Sequence, residues 1–469
     1  MAQDRAEAAP GLSCRVDTVA AIATPPGAAA LGMLRVSGPR ALEAARSMLR
    51  PKSAGAAFLA RRATWAEAFD GRTKIDEVVA IFYPGPNSAT GEDLIEVTAH
   101  GSPYILKKLL LAALSAGARL ALPGEFTQRA FLNGRLDLSQ AEAVCDLIRS
   151  RTDGAHRAAL AQLEGGLSRE LARLRAPILE LAVRVEAGLD HPEEDLPSLA
   201  AEEILSALAA PEDSIRRLAA TFESGRILAE GARVCIVGRP NAGKSSLLNA
   251  LLGTERAIVC PEPGTTRDTV EEPTDVEGNP CVLIDSAGLR EESRDPAERL
   301  GMQRTERALS ACDLALLVID SSRPLGPEDR RVHERIISQA AREGRPVISI
   351  LNKSDLKPRA RGCRADLAVS ATTRAGLNDL SRLIAARVLS SRLKPEAALV
   401  TCLRHHEALR SSAEELGQAR QAVADNPGRW EDRVAAHLRE SLRRLGEITG
   451  EGASDEVLRG IFSRFCVGK

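Results

Sequence analysis

The sequence predicts a multidomain α/β and α+β protein with an additional helical domain. Three observations predict this class. The chain has 469 residues, enough for about three domains of ordinary size. Short apolar runs alternate with polar, helix-like segments in its middle, and apolar stripes at helical spacing lie on both sides of that region. Each pattern indicates a different kind of core.

The α/β domain is expected over residues 229 to 390. Its apolar runs are separated by polar segments, as in the βαβ units that build parallel sheets. The runs are RVCIVG (233–238), CVLID (281–285), LALLVID (314–320), PVISILN (346–352) and LAVSA (367–371).

The segments that flank this domain are expected to be helical. One apolar stripe contains Leu167, Leu171, Leu174, Ile178, Leu181 and Val185, and a second contains Val434, Leu438, Leu442 and Leu445. Pro177 inside the first stripe should kink the helix or mark a break. Because neither stripe can stay exposed, we expect the two segments to pack on each other with the α/β domain inserted between them.

The first 133 residues are expected to form an α+β domain. Strand-like runs alternate with one long apolar helix-like run. The strand-like runs are DTVAAIATP, LGMLRVSG, DEVVAIFYPGP and DLIEVTAHG, and the helix-like run is PYILKKLLLAALSAG.

Composition excludes several classes of protein. With 63 Lys and Arg against 64 Asp and Glu, no global field attracts the protein to nucleic acid or membrane, so any RNA contact must be local. The nine cysteines include no C-x-x-C pair, which argues against a zinc site or a disulfide framework and favours a reduced, cytoplasmic location. We also expect neither secretion nor membrane insertion, because no apolar signal or spanning segment is present.

A phosphate-binding loop is predicted at GRPNAGKSS, which follows a predicted strand and opens a helix. Gly238 and Gly243 allow backbone N–H groups to surround phosphates, Lys244 can meet the β and γ oxygens, and Ser245 can ligate Mg²⁺. A Gly-rich turn with a chance lysine is the alternative, which the strand and helix context disfavours. The predicted nucleotide contacts are Asn241, Ala242, Gly243, Lys244, Ser245 and Ser246.

Three further motifs predict that the nucleotide is GTP. In DSAG, Asp285 can hold the Mg²⁺ shell and the Gly288 amide can sense the γ-phosphate. In NKSD, which contributes Asn352, Lys353 and Asp355, the Asp355 carboxylate can accept the N1–H and N2–H₂ donors that adenine lacks. In SAT, Ser370 and Ala371 can add a backbone contact to the base oxygen.

The hydrolytic residues are not those of Ras-type enzymes. Leu289 follows DSAG where such enzymes carry a water-positioning glutamine. Another group must therefore orient the water and supply positive charge, and the loop CPEPGTTRD should carry the switch threonines.

Together these motifs resemble the MnmE (TrmE) family of tRNA-modification GTPases over nearly the whole chain. Blocks outside the GTPase motifs distinguish this family from ribosome-assembly GTPases. The matching segments are GRPNAGKSSLLNALLG, PGTTRD, DSAGLRE, NKSD, TGEDLIEV, HGSPYIL, PGEFTQRAFLNGRLDLSQAEAV and the terminal CVGK.

The resemblance implies four segments: an N-terminal folate-binding and dimerisation domain (1–133), the first part of a helical domain (134–228), an inserted G domain (229–390), and the second helical part with the CVGK tail (391–469). It also implies a homodimer that joins the FAD-containing protein MnmG in a heterotetramer or larger complex and acts on tRNA. The joint reaction would add an aminomethyl or carboxymethylaminomethyl group to C5 of the wobble uridine.

The resemblance further implies two metal ions in the G domain. Ser245 and Thr266 match the family's Mg²⁺ ligands, whereas Asn241, Thr265 and the carbonyls of Cys260 and Glu262 match its K⁺ site. An immobilised K⁺ would supply the charge that an arginine finger provides elsewhere. Glu298 matches the glutamate that orients the water; a solvated helix charge is the alternative.

For folate, the resemblance implies contacts from Arg35, Glu96, Arg135 and Lys469. The ligand would be 5,10-methylene-tetrahydrofolate or 5-formyl-tetrahydrofolate. A carboxylate can accept the pterin donors, and cations can meet the glutamate tail. One departure affects this loop: the chain reads GAAALG where the family has a glycine-rich turn with an arginine.

The tail raises a separate question about Cys466. CVGK lacks the aliphatic middle residues and permissive last residue of a prenylation box, and the tail has no neighbouring Cys or His for a metal. Two interpretations remain: a catalytic thiol near the reacting carbon, or a small apolar residue that packs the tail.

A regulatory ribosome-assembly GTPase, acting as a switch on RNA, is the alternative function. Such a switch would need neither the N-terminal domain nor the tail, so these two parts of the sequence favour the modification enzyme.

Overall fold

The computed structural model describes residues 17–52, 58–190, 200–254, 271–285, 309–360, 364–388, 399–426 and 429–469. Two compact units contain them: unit 1 is Met1–Cys145 with Leu442–Lys469, and unit 2 is Asp146–Ser441. The four-segment division remains a prediction.

The strands are β1 Val19–Ile22, β2 Leu31–Ser37, β3 Leu49–Pro51, β4 Thr64–Asp70, β5 Thr73–Tyr83, β6 Leu94–His100, β7 Arg119–Leu120, β8 Ala232–Val237, β9 Glu271–Val276, β10 Asn279–Asp285, β11 Leu314–Asp320, β12 Val347–Asn352 and β13 Leu367–Ala368.

The helices are α1 Ala41–Met48, α2 Pro103–Ser115, α3 Glu125–Leu132, α4 Leu138–Arg149, α5 Asp153–Leu163, α6 Gly166–Asp190, α7 Ala201–Ala219, α8 Phe222–Glu230, α9 Lys244–Thr254, α10 Pro327–Arg342, α11 Leu377–Val388, α12 Leu403–Asp425, α13 Glu431–Thr449 and α14 Asp455–Phe462. None of these helices has an apolar stretch long enough to cross a membrane.

Unit 1 is built on a seven-stranded sheet with the order β3-β4-β5-β6-β2-β1-β7. Neighbours are antiparallel except the parallel pair β1 and β7. Along β2, Leu34 and Val36 are buried in the main core, so Arg35 between them lies on the other face. Arg35 is paired directly with Glu96 on β6, and this register sets the first candidate contact of the site.

A second core in unit 1 joins the helix before the tail to α3 and α4. Phe462 and Phe465 pack with Leu138, and the rings of Phe131 and Phe462 lie 6.5 Å apart. These contacts fix the chain just before the CVGK segment.

Unit 2 contains a six-stranded sheet with the order β13-β12-β11-β8-β10-β9. Four predicted runs form its parallel strands β8, β10, β11 and β12, as expected. The LAVSA run is shorter than predicted, since only Leu367–Ala368 is strand before Ser370 turns back to bond Ala375. The antiparallel edge strand β9 was not predicted, because Pro273 and three acidic residues in EEPTDV mask its pattern.

The helices of unit 2 bury the predicted stripe. All six residues of the first stripe are buried on α6, which runs through Pro177 without a break, so the expectation of a possible break is wrong. Helices α7 and α12, which precede and follow the sheet in the chain, pack on each other, and Arg420 meets the buried Glu212 at 2.8 Å. The expected packing of the flanking segments is confirmed for these two helices, and the insertion of the α/β domain between the segments stays a prediction.

Candidate functional site

The phosphate-binding motif connects β8 to α9 at the carboxyl end of the parallel strands. Gly238 has a φ of +150°, and an added Cβ would lie 2.4 Å from the Val318 carbonyl oxygen. At Gly243, with φ +90°, a Cβ would lie 2.3 Å from Asn352 Nδ2. Glycine is therefore required at both positions, because the loop passes directly over β11 and β12.

Lys244 and Ser245 open helix α9, and both point toward polar partners. Lys244 is buried, and its Nζ donates to the Arg239 carbonyl oxygen at 3.0 Å. Ser245 Oγ donates to Asp285 Oδ2 at 2.7 Å, at the end of β10. A hydroxyl and a carboxylate at this spacing form an oxygen donor set that suits Mg²⁺. Ser246, next on the helix, is exposed.

Asn352 and Lys353 connect the base-recognition motif to the phosphate loop. Asn352 is 1% exposed; its Nδ2 donates to the Ala242 carbonyl at 3.0 Å, and its Oδ1 accepts from the Ala371 amide at 3.2 Å. Lys353 Nζ donates to the Asn241 carbonyl at 2.9 Å. The predicted phosphate and base residues are thus brought together by direct hydrogen bonds.

Asp355 is held in place by the SAT segment. The buried Ser370 donates its hydroxyl to Asp355 Oδ1 at 2.6 Å and accepts from the Thr373 amide at 3.1 Å. Asp355 itself is exposed. The carboxylate is therefore oriented and accessible, which recognition of guanine N1–H and N2–H₂ requires.

Asp320 belongs to none of the sequence motifs and was not predicted to be a site residue. It ends β11, and its Oδ2 meets Lys353 Nζ at 2.7 Å. Burial raises the pKa of Asp320, but hydrogen bonds from Lys353 and Ser322 outweigh burial and leave that pKa below its ordinary value. A carboxylate at the end of LALLVID, like the one at the end of CVLID, was the available signal.

Several predicted site residues lie outside the described part of the chain, and their roles remain predictions. They are Cys260, Glu262, Thr265, Thr266, Gly288 and Glu298.

Unit 1 contains a cavity of about 160 Å³ beside the second group of predicted residues. Arg35 and Lys469 line it together with Thr90, Leu94 and Phe126. Two cations beside an apolar wall and an aromatic ring could hold an anionic heterocycle. The volume is below the ~300 Å³ of common ligand pockets, so the cavity as it stands fits only part of a folate.

Arg35, which lines the cavity, forms an ion pair with Glu96, which lies outside the cavity lining that the described residues form. Arg35 Nη2 lies 2.8 Å from Glu96 Oε1, and Nε donates to the same oxygen at 2.9 Å. Burial and the charge of Arg35 lower the pKa of Lys469. Arg135 is exposed and lies outside the cavity lining that the described residues form.

The tail is fixed by backbone contacts to the segment just before and within α3. Gly124 N donates to the Cys466 carbonyl at 3.4 Å, Phe126 N donates to the Lys469 carbonyl at 3.2 Å, and Pro123 forms an antiparallel bridge with Val467. Gly468 has φ +94°, and a Cβ there would lie 2.5 Å from the Ile22 carbonyl oxygen.

The thiol of Cys466 is exposed. This exposure disfavours the interpretation of Cys466 as a packed apolar residue, and its chemical role stays a prediction; Phe465 and Gly468 are the buried residues of this segment. An exposed thiol is accessible for chemistry, whereas burial raises the pKa of Cys312 to about 11 and makes that thiol inert.

Comparison with known proteins finds similarity along nearly the whole chain. A family model described as the MnmE helical domain matches residues 138–466, and one described as the GTP-binding protein TrmE N-terminus matches residues 18–135. A protein of Chloroflexus aurantiacus called tRNA modification GTPase MnmE is 45% identical over 97% of this chain and 100% of its own length. Proteins with the same name from Symbiobacterium thermophilum and Clostridioides difficile are 43% and 38% identical, each over 97% of this chain and 99% of its own length.

Solved structures match parts of the chain at low scores. Aquifex aeolicus Era bound to GDP and AlF₄⁻ is 24% identical, with a TM-score of 0.26 over 39% of this chain and 66% of its own. The G domain of the T. maritima FeoB iron transporter is 24% identical, with a TM-score of 0.24 over 33% of this chain and 98% of its own.

Proposed function

The chain belongs to the MnmE (TrmE) family, and from that premise we propose that it hydrolyses GTP to drive modification of tRNA. The observation that supports this most directly is the direct bonding of the phosphate loop to the base-recognition motif, through Asn352 to Ala242 and Lys353 to Asn241. The residues that would bind the phosphates and those that would bind the guanine base are thereby held together by hydrogen bonds.

Each nucleotide-site residue has a defined task in this proposal. Amides of residues 241 to 246 surround the phosphates at the start of α9, where the positive end of the helix dipole favours an anion. Lys244 exchanges its bond to the Arg239 carbonyl for a phosphate oxygen, and Ser245 with Asp285 holds Mg²⁺. Asp355 accepts from the guanine edge.

We propose that hydrolysis depends on K⁺. Asn241, Thr265 and the carbonyls of Cys260 and Glu262 would hold K⁺, Thr266 would complete the Mg²⁺ shell, and the Gly288 amide would sense the γ-phosphate. Bound K⁺ would stabilise charge that develops on the phosphates. Glu298 would orient the attacking water. Asn241 supports this assignment, since it is exposed beside the phosphate loop at φ +63°, with its side chain accessible to the nucleotide.

For unit 1 we propose a folate site built on Arg35, Glu96 and Lys469. When bound, methylene-tetrahydrofolate would supply the one-carbon unit. Glu96 would accept the pterin donors, Arg35 and Lys469 would bind anionic groups, and the exposed Cys466 would be the candidate reactive thiol. Arg135 would contact only the outer part of the ligand, since it lies outside the cavity lining.

The wider proposal follows the family. The product would be an aminomethyl or carboxymethylaminomethyl group at C5 of the wobble uridine, made in the cytoplasm by a homodimer together with FAD-containing MnmG. The four segments would be a folate-binding domain, a helical domain from two parts of the chain, and an inserted G domain. Helix α7 packs on α12 although the strands of the unit 2 sheet lie between these helices in the sequence, and this supports the insertion.

Mass spectrometry of tRNA nucleosides tests the function. A strain that lacks this protein should lose the C5-modified wobble uridine, and the intact gene should restore it. A Lys244→Ala gene should not restore it, because the phosphates lose their charge partner. A regulatory ribosome-assembly GTPase would instead leave the nucleosides unchanged and alter ribosomal subunit profiles.

Potassium dependence has its own test. GTP hydrolysis should be fast in KCl and slow in NaCl, and Asn241→Ala should remove this difference. Equal rates in the two salts would exclude K⁺ as the charge donor without affecting the assignment of the GTP site.

A further inference from the structure

The position of Lys469 in the cavity depends on the short segment that precedes and begins α3. The amides of Gly124 and Phe126 donate to the carbonyls of Cys466 and Lys469. Amides in the first turn of a helix have no partner within the helix, so the Phe126 amide depends on the tail. We call residues 122–126 the tail-holding loop.

Glu125 sets the shape of the tail-holding loop. One of its oxygens accepts from the Leu122 amide at 2.8 Å, and both accept from Arg119, at 2.9 and 2.5 Å. The side chain of Glu125 is 7% exposed. Burial opposes its ionisation, but Arg119, the Leu122 amide and Arg129 outweigh burial and lower the pKa of Glu125.

Arg129 connects this loop to two other parts of the chain. Its Nη2 donates to Glu125 Oε1 at 3.0 Å and to Asp17 Oδ1 at 2.6 Å, whereas its Nη1 donates to the Asp17 carbonyl at 2.8 Å and to Glu92 Oε2 at 2.9 Å. The side chain is 6% exposed. Four acceptors on three separate segments match the planar fork of an arginine, which the single ammonium of a lysine cannot reproduce.

The contacts continue to the cavity wall. Glu92 accepts from the Ser37 hydroxyl at 3.1 Å, and that hydroxyl lies 2.7 Å from Thr90 Oγ1. Thr90 lines the cavity. Arg129 therefore joins the loop that holds Lys469 to a second part of the same wall.

We propose that Arg129, acting through Glu125 and the tail-holding loop, is the positioning residue that keeps Lys469 in the cavity for the bound folate. Arg129 touches neither the cavity nor the tail, so its effect is indirect. The inference rests on the proposed folate site for its ligand, whereas the geometry of the tail can be tested without one.

The ligand test is a double-substitution cycle with 5-formyl-tetrahydrofolate as the probe. Affinity is measured by titration calorimetry for the unaltered protein, Arg129→Lys, Lys469→Ala and the double variant, with the exposed Arg72→Lys as matched control. Arg129→Lys should weaken binding about tenfold, the size of one lost buried charged contact. The double variant should bind as Lys469→Ala does. If the double variant instead binds more weakly than Lys469→Ala, by the factor that Arg129→Lys alone produces, then Arg129 acts independently of Lys469 and the proposal is overturned.

The second readout needs no folate. Hydrogen exchange at the Gly124 and Phe126 amides should become faster in Arg129→Lys, whereas exchange in β4 and β5 stays unchanged. Unchanged exchange at both amides would overturn the positioning role. If the unaltered protein does not bind the probe, the folate proposal fails, and the exchange data still decide the role of Arg129.

A folding defect is excluded by circular dichroism. If Arg129→Lys does not fold, Glu92→Gln replaces it, since that change weakens one Arg129 contact and keeps the shape of the side chain. Faster exchange at Gly124 and Phe126 in Glu92→Gln supports the proposal, and unchanged exchange there contradicts it.

Discussion

At the scale of single residues, two carboxylates have different roles in the proposed nucleotide site. Asp355 is exposed and fixed by the Ser370 hydroxyl, so it can meet the base. Asp320 is buried and pairs with Lys353, which in turn bonds the phosphate loop. In the proposed site, Asp355 would select the base, whereas Asp320 supports the lysine that joins the two motifs.

Asp355→Asn should change the choice of nucleotide. The amide loses acceptors for guanine N1–H and N2–H₂ but can donate to the 2-oxo group of xanthine. We expect GTP affinity to fall by about 10- to 100-fold, as for lost hydrogen bonds to a charged group, and affinity for xanthosine triphosphate to rise. Fluorescent nucleotide titration measures both. The control is Asp379→Asn, an exposed α11 residue, and an unchanged GTP affinity in Asp355→Asn would refute its role.

Asp320→Asn should weaken GTP without changing base preference. Lys353 loses its charged partner but retains the Asn241 carbonyl, and it is 33% exposed, so solvent screens part of the loss. We expect a decrease in affinity of roughly three- to tenfold, about 1 kcal/mol. The same titration measures it against Asp379→Asn. A gain of xanthosine triphosphate binding would show that Asp320 contacts the base.

At the scale of elements, the apolar stripe of α6 explains why a 25-residue helix tolerates an internal proline. Residues at spacings of three and four turn the same face to the core on both sides of Pro177. Burial of six large side chains outweighs the roughly 3 kcal/mol that a proline costs in a helix.

Leu171→Ala and Leu179→Ala test this account on one helix. Leu171 is 1% exposed and Leu179 is 54% exposed. Removing Leu171 leaves a cavity and should lower the free energy of unfolding by about 2 to 5 kcal/mol, whereas Leu179→Ala should change it by less than about 0.5 kcal/mol. Urea denaturation followed by circular dichroism measures both. Equal effects would contradict the assignment of the buried face.

At the scale of the whole molecule, the residues of the proposed nucleotide site and those of the proposed folate site belong to different units. The phosphate and base residues lie in unit 2, and every tail contact described above lies in unit 1. The two activities should therefore be separable by substitution.

Deletion of residues 466–469 should leave K⁺-stimulated GTP hydrolysis nearly intact and abolish wobble modification. The deletion removes Lys469 and Cys466 from unit 1 and no residue from the nucleotide site. Phosphate release and nucleoside analysis measure the two activities. Normal modification by the truncated protein would remove any functional role for the tail. Cys466→Ser then separates the thiol from the cation, since lost modification at normal folate affinity indicates a chemical role for sulfur.

Acid should destabilise unit 1 through two carboxylates that pair with arginines. Burial raises the pKa of Asp17 and that of Glu125, but contacts with arginines outweigh burial and leave both pKa values below the ordinary ones of 3.8 and 4.5. Their stabilisation is present above pH 4.5 and is lost as pH falls through the lowered folded-state pKa values. The urea midpoint should fall between pH 7 and about pH 3, and Glu125→Gln should show a smaller fall. An equal fall in that variant would contradict the contribution of Glu125.

The sequence by itself determined the phosphate loop, the base motif, the parallel strands of unit 2 and the α6 stripe. These depend on residue types within a few positions of one another, so spacing alone predicts them. The tertiary structure decided that Asp320 supports Lys353, that Cys466 is exposed, that Arg135 lies outside the cavity, and that Arg129 joins Asp17, 112 positions away, to the tail-holding loop. These depend on which distant segments meet, and a single sequence carries no local pattern for that, because long-range pairing is set by packing of the complete core.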